Sequence, residues 1–344
     1  MALSEGPLVS IQSLVLGLIG LIVIILIISN IAKKINLVDI GNEKRKLHTG
    51  SVPLVGGIGL FFSFMYGAFV FGVDSFYLYL IISLIPIMLV GILDGIQGFS
   101  IKSVYRVIAQ ILSSWIIIST TDIYVKDLGD LFGFGELYIG SLGIPFTIFC
   151  VVGICNAFNM LDGKDGLLGS VSAIIMSSLL LLFYFDGIIY QWGQIVFLSL
   201  LIYLAFNLSI FGKDRKIFLG DHGSTGLGHL IAWTLIYLSQ ENEIISPISA
   251  IWFVLLPLTD AVLTFLRRIR SSKSVFEADR LHFHHKLFDR GLSERMILTI
   301  FSSITIISCS IAVVSNILEL EEYLLLYGYL TIFVSISLID SRET

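Results

Sequence analysis

The chain has 344 residues, 56% of them hydrophobic and 14% charged, and its mean hydropathy is +0.93. That balance excludes an ordinary soluble domain and places the chain among integral membrane proteins of all-α class. The formal net charge of −5 averages two unlike faces and identifies no partner; nucleic acid is not an expected one.

Apolar runs near 20 residues recur along the whole length, each long enough to cross a bilayer as a helix. Eleven are predicted, roughly at 8–30, 53–72, 77–96, 103–120, 143–158, 168–186, 190–208, 223–239, 246–266, 296–316 and 322–340. The first is not read as a secretory signal: only Glu5 precedes it, no basic region leads it, and it is too long. Pro145 opens the fifth run and polar residues close it. No soluble domain fits between the runs, so residues 1–344 are read as one polytopic membrane domain.

Charge sets the expected orientation. If the chain crosses eleven times, 20 of the 21 Lys and Arg residues fall on one side, leaving Lys126 alone on the other. By the positive-inside rule the cation-rich side is cytoplasmic, which puts the N-terminus in the periplasm and the C-terminus in the cytoplasm. The opposite side carries Asp122, Asp127, Asp130, Glu136, Glu241, Glu243, Glu319, Glu321 and Glu322.

Polar clusters then appear in chain order, all near helix ends on that cytoplasmic side. Gly56, Gly57 and Gly59 follow Pro53 inside an apolar run; with no βαβ pattern around them they read as close helix packing, not a dinucleotide fingerprint. Asp94 ends the third run, where it serves either as a helix cap or as a site residue. Lys102 and Arg106 open the fourth. Asn156-Ala-Phe-Asn159-Met-Leu-Asp162-Gly-Lys-Asp165-Gly-Leu167 follows the fifth. In one regular helix Asn156 and Asp165 would face opposite ways. Gly163 and Gly166 therefore suggest that the helix unwinds and turns the four polar groups toward one pocket. Amides and carboxylates without a thiol suit a hard cation such as Mg²⁺, with Mn²⁺ as the alternative.

Phe218-Leu-Gly-Asp221-His-Gly-Ser224 precedes the eighth run. It reads both as a turn with a helix cap and as an anion site at a helix N-terminus. Asp260 lies about two turns inside an apolar helix and requires a partner that the sequence does not name. Arg267, Arg268 and Arg270 read as membrane-face anchors. Arg280, His282, His284 and His285 fall in the largest loop, where phosphate contact and a zinc site are the competing readings. Cys150, Cys155 and Cys309 read as apolar packing residues.

Together these clusters resemble the polyprenyl-phosphate N-acetylhexosamine-1-phosphate transferases. The resemblance runs from Lys44-Arg-Lys-Leu-His48 and Pro53-Leu-Val-Gly-Gly57 to His282-Phe-His-His285, and the latter form is similar to the N-acetylglucosamine branch. It implies transfer of a sugar 1-phosphate from a UDP-N-acetylhexosamine to undecaprenyl phosphate, with release of UMP, at the cytoplasmic face of a bacterial inner membrane. It further implies Mg²⁺ held by Asp221 with Asn159 or Asp162, and chemistry supported by Asp94, Asp162 and Asp165. Substrate contacts are implied for Asn156, Lys102, Arg280, His48, His282, His284 and His285, and a homodimer is a further expectation. The family's second aspartate after Asp94 is Gly95 here, and His222 and Lys164 stand where small or apolar residues are expected. A transporter for cations or nucleotide sugars is the rival class; it calls for inverted repeats and polar groups near the bilayer midplane.

Overall fold

A computed structural model describes residues 11–40, 50–188, 190–271 and 282–341. Helices occupy all eleven apolar runs: α1 (Ile11–Lys34), α2 (Gly56–Phe71), α3 (Ser75–Gly95), α4 (Ser103–Thr121), α5 (Gly143–Leu161), α6 (Leu167–Phe185), α7 (Gln191–Asn207), α8 (Asp221–Gln240), the pair α9 (Pro247–Phe253) and α10 (Leu255–Arg270), then α12 (Glu294–Ile317) and α13 (Glu322–Ser341). A short helix, α11 (Phe283–Asp289), lies between α10 and α12.

Among the described residues six helical segments are long and apolar enough to cross a membrane: Gln12–Lys34, Ser75–Gly95, Ser103–Thr121, Gly140–Leu161, Leu167–Phe185 and Glu294–Ile317. The pair α9 and α10, bent by 84°, would add a seventh if the two form one span. This is a multi-pass membrane protein. Helices α2 and α7 and the stretch Glu322–Leu338 are apolar but shorter. Helix α8 is less apolar still, yet it is buried from His222 to Leu238. It runs through the centre of the bundle against α2, α3 and α5, so its Gly, Ser, Thr and His residues face protein and not lipid.

The predicted ninth run is thus two helices, not one. Pro257 sits in the first turn of α10, where its missing N–H breaks no helical hydrogen bond. The all-α expectation also needs amending. Strands β1 (Val38–Ile40) and β2 (Ser51–Pro53) form a two-stranded antiparallel sheet with Asp39 opposite Val52. The chain leaving β2 is then tied to the approach to α8. Phe218 donates its N–H to Pro53 O (2.9 Å), and Gly56 donates to Phe218 O (2.9 Å).

Glycines let α2 and α3 close on the start of α8. A Cβ on Gly57 would lie 2.3 Å from Gly223 Cα, and one on Gly91 would lie 2.6 Å from His222 N. Only glycine permits that approach. At the other end of the bundle Tyr237 donates to Asp74 Oδ2 (3.1 Å), and Gln240 Oε1 accepts from Lys126 N (2.7 Å).

Candidate active site

The ends of α3, α5 and α7, the start of α8, the segment of β1 and β2, helix α11 and the start of α12 surround a cleft of about 1560 Å³. Asp94, Asn159, Asp162, Asp165 and Asp221 all line it, with Lys213, Lys216 and Arg295 on the same walls. Residues separated by more than a hundred positions meet here because each ends or begins a helix on this side.

Local structure explains how. Helix α5 stops at Leu161, Asp162 follows as its C-cap, and α6 starts after Gly166, whose φ of +75° is a left-handed conformation. The chain between them is unwound, so Asp162 and Asp165 join Asn159 on the cleft wall. Asn207, buried at the end of α7, holds this loop. Its Oδ1 accepts from Gly166 N (2.6 Å) and its Nδ2 donates to Ile217 O (3.0 Å). Gly220 precedes α8 with φ +72° and makes no side-chain cap. The Asp221 carboxylate is therefore not used as a helix cap. It accepts from Asn159 Nδ2 (3.2 Å), which also donates to Ser224 Oγ (2.9 Å).

Arg106 ties the carboxylates together. Its Nη1 donates to Asp221 Oδ2 and lies 3.4 Å from Asp94 Oδ2. Asp94 also accepts from Ile101 N (2.9 Å). A carboxylate in the last turn of α3 opposes the helix dipole, and the guanidinium offsets that. Lys216 pairs with Asp165. Among the described residues Asp162 has no such cation: burial first, then the charges of Asp221 and Asp165, push its pKa up to about 7.

The histidines separate by environment. Buried His282 meets Asp260 Oδ2 through Nδ1 (2.9 Å), and Asp260 Oδ1 accepts from Phe283 N (2.9 Å). This is the partner Asp260 required. His284 is fully buried between its two neighbours and Gly163, where an added Cβ would lie 2.4 Å from Nε2. Burial and the adjacent His285, His282 and Lys164 lower its pKa, so its ring is neutral. His285 lines the cleft.

Of the other expected contacts, Asn156 does not line the cleft; it donates to Gln110 Oε1 (2.9 Å), one turn behind Asn159. Lys102 is the exposed residue before α4 and lies outside the cleft lining. His48 and Arg280 lie outside the described residues. Arg106, Asn207 and Lys216 belong to the site although the sequence assigned them no role in it. The signal for Asn207 is a lone amide closing an apolar run.

Among the described residues no three His, Cys, Asp or Glu side chains converge closely enough to hold a metal by themselves. The oxygen donors present still fit Mg²⁺, which is commonly bound by one or two carboxylates plus substrate phosphates and water. Asp221 and Asn159 are in direct contact, and Asp162 faces the same cleft. The histidine cluster does not supply a zinc set: His282 is committed to Asp260, and His284 is sealed against Gly163.

Comparison with known proteins agrees with this geometry. Residues 77–239 match the model for glycosyl transferase family 4. The chain is 34% identical over 301 residues to an undecaprenyl-phosphate alpha-N-acetylglucosaminyl 1-phosphate transferase of Escherichia coli K12, covering 85% of this chain and 78% of that protein. The protein of the same description from Haemophilus influenzae is 34% identical over 328 residues, covering 93% of this chain and 91% of the relative. The Salmonella typhi counterpart is 33% identical over 309 residues, at 88% and 81% coverage. With the carboxylate cleft and these relatives together, the chain belongs to glycosyl transferase family 4 and is a sugar-phosphate transferase.

Proposed function

We propose that the protein transfers N-acetylglucosamine 1-phosphate from UDP-N-acetylglucosamine to undecaprenyl phosphate and releases UMP. The reading extends to eleven membrane crossings, with the cleft facing the cytoplasm at a bacterial inner membrane. The product would begin O-antigen, common-antigen or related surface-polysaccharide synthesis. One observation carries the proposal: five polar site residues converge with Lys213, Lys216 and Arg295 on one cleft at a helix-end face, and Arg106 bridges two of the five.

In net chemistry an oxygen of the lipid phosphate bonds to the β-phosphorus of the nucleotide sugar. The bond from that phosphorus to the bridging oxygen breaks, and UMP carries the bridging oxygen away. The attacking oxygen is already anionic at neutral pH, so the protein's task is alignment and charge compensation. Asp221, Asn159 and Asp162 would hold Mg²⁺, which when bound neutralises the pyrophosphate. Arg106 keeps Asp94 and Asp221 together between α3, α4 and α8, fixing the distance between the two halves of the cleft. Lys213, Lys216 and Arg295 provide fixed positive charge for phosphate oxygens.

The test is UMP release by purified protein with undecaprenyl phosphate, Mg²⁺ and a panel of UDP-N-acetylhexosamines. Release with the N-acetylglucosamine donor supports the proposal; release only with another donor reassigns the sugar. A transporter would instead move nucleotide sugar or cations across vesicles without forming UMP. Carboxylates gathered at one end of the bundle favour the transferase reading.

A further inference from the structure

We propose that Lys164 is a positioning residue that fastens the histidine helix α11 and the start of α12 to the carboxylate loop. In this role it sets the donor side of the cleft. The inference rests on the proposed use of a nucleotide-sugar donor.

Lys164 lies between two site carboxylates, Asp162 and Asp165, yet it pairs with Glu294. Its side chain is 10% exposed, and its Nζ donates to Glu294 Oε1 at 3.0 Å. The same ammonium sits 3.8 Å from the centre of the Phe288 ring. Asp165 takes its cation from Lys216. The two lysines thus divide the work: one compensates the loop's charge, and the other binds the loop to a different part of the chain.

That second attachment falls where the fold needs one. Gly163, the adjacent residue, forms the floor against which buried His284 rests. Phe288 is one turn further along α11, and Glu294 opens α12. Two consecutive loop residues therefore hold α11 at two successive turns, one through a ring on a bare backbone and one through a partly buried cation. His285 lies between those turns, and with Phe288, Glu294 and Arg295 it lines the same cleft as Asp94 and Gly95. Helix α11 has only seven residues, too short to keep its place on helix propensity alone. A partly desolvated ammonium over an aromatic face, with a carboxylate at its rim, is a directional fastening. A flexible apolar side chain could fill the space without fixing the angle.

The consequence for reaction is selective. Release of α11 would loosen the wall formed by His285, Phe288 and Arg295 while leaving Asp221, Asn159 and Arg106 in place, because those contacts run between α4, α5 and α8.

Three variants in the full-length detergent-solubilised protein test this. Lys164→Met keeps volume and removes charge, Lys164→Arg keeps the charge, and Glu294→Gln removes the partner from the other side. Hydrogen exchange without substrate is measured first, since it is independent of activity. Lys164→Met is expected to speed amide exchange across 283–289 about tenfold and to leave the core of α8 unchanged. Steady-state assays should then show KM for the UDP-sugar raised about five- to tenfold, with kcat within about twofold and KM for undecaprenyl phosphate unmoved. Lys164→Arg should restore both readouts, and the double variant with Glu294→Gln should add little to either single change. Unchanged exchange over 283–289 in Lys164→Met overturns the fastening. So does a loss confined to kcat. If Lys164→Met fails to fold, Glu294→Gln carries the test alone, and unchanged exchange there is equally fatal. Absence of UMP release by the unaltered protein would count against the donor reading, and the exchange result would still decide whether Lys164 holds α11.

Discussion

Replacing Arg106 by Met tests the electrostatic design of the cleft. The guanidinium lies 3.4 Å from Asp94 Oδ2 and also donates to Asp221. At an effective dielectric near 20, one such pair has a gross attraction of about 5 kcal/mol. The Arg106 side chain is 33% exposed, so water recovers much of that when the charge is removed. A net loss of about 1.4–2.8 kcal/mol is expected, which is a ten- to hundredfold fall in kcat/KM. Lysine should give an intermediate value, because one ammonium cannot bridge two carboxylates with the planar fork that Arg106 presents. UMP release under saturating Mg²⁺ measures both variants, with thermal unfolding run in parallel to exclude a folding defect. If Arg106→Met keeps kcat/KM within about threefold of the original, the guanidinium is a structural tether and the charge argument for this cleft is wrong.

Four other outcomes follow from the same geometry. Asp221→Ala and Asp162→Asn should each lower turnover by at least about a hundredfold, the scale of losing a key electrostatic contact; near-normal UMP release by either at saturating Mg²⁺ removes that residue from the site. Gly57→Ala should destabilise the protein by about 1–3 kcal/mol in thermal or denaturant unfolding, because the new methyl meets the α8 backbone at Gly223. Gly95→Asp should lower the Mg²⁺ concentration for half-maximal activity and leave the fold intact, although the new Cβ requires the Leu37 and Leu54 methyls, 2.9 and 3.2 Å away, to shift; superimposable Mg²⁺ titrations would show that Asp94 acts without a second carboxylate. Single cysteines at 213 and 126 should label from opposite sides of sealed vesicles, and labelling of both from one side would overturn the orientation.

Apolar run length made the helices legible, and charge placement made the shared face legible. Asn159, Asp162, Asp165 and Asp221 could be grouped from sequence because glycines beside them marked helix ends. What escaped depends on tertiary contact. The Asp260–His282 pair joins α10 to the residue before α11, and nothing local in either segment names the other. In sequence Arg106 is one of two cations at the start of the fourth run; only the approach of α3 and α8 gives it two carboxylates. Lys102, four residues earlier, has the same charge but points to the exposed side. The break at Val254 was hidden because an apolar run reads alike whether it is straight or bent. Strands of three residues carry too little pattern to stand out. The central place of α8 was likewise invisible, since hydropathy describes contact with lipid and this helix is enclosed by protein.

The reaction proposed for this cleft joins a sugar 1-phosphate to a lipid phosphate. Its most direct measurement is mass spectrometry of the lipid after incubation of purified protein with undecaprenyl phosphate, UDP-N-acetylglucosamine and Mg²⁺, with UMP quantified in the same tube. Undecaprenyl diphosphate N-acetylglucosamine and UMP are expected in equal amounts, both abolished in Asp221→Ala. Lipid left unmodified by active, folded protein, or UMP formed without the lipid product, would contradict it.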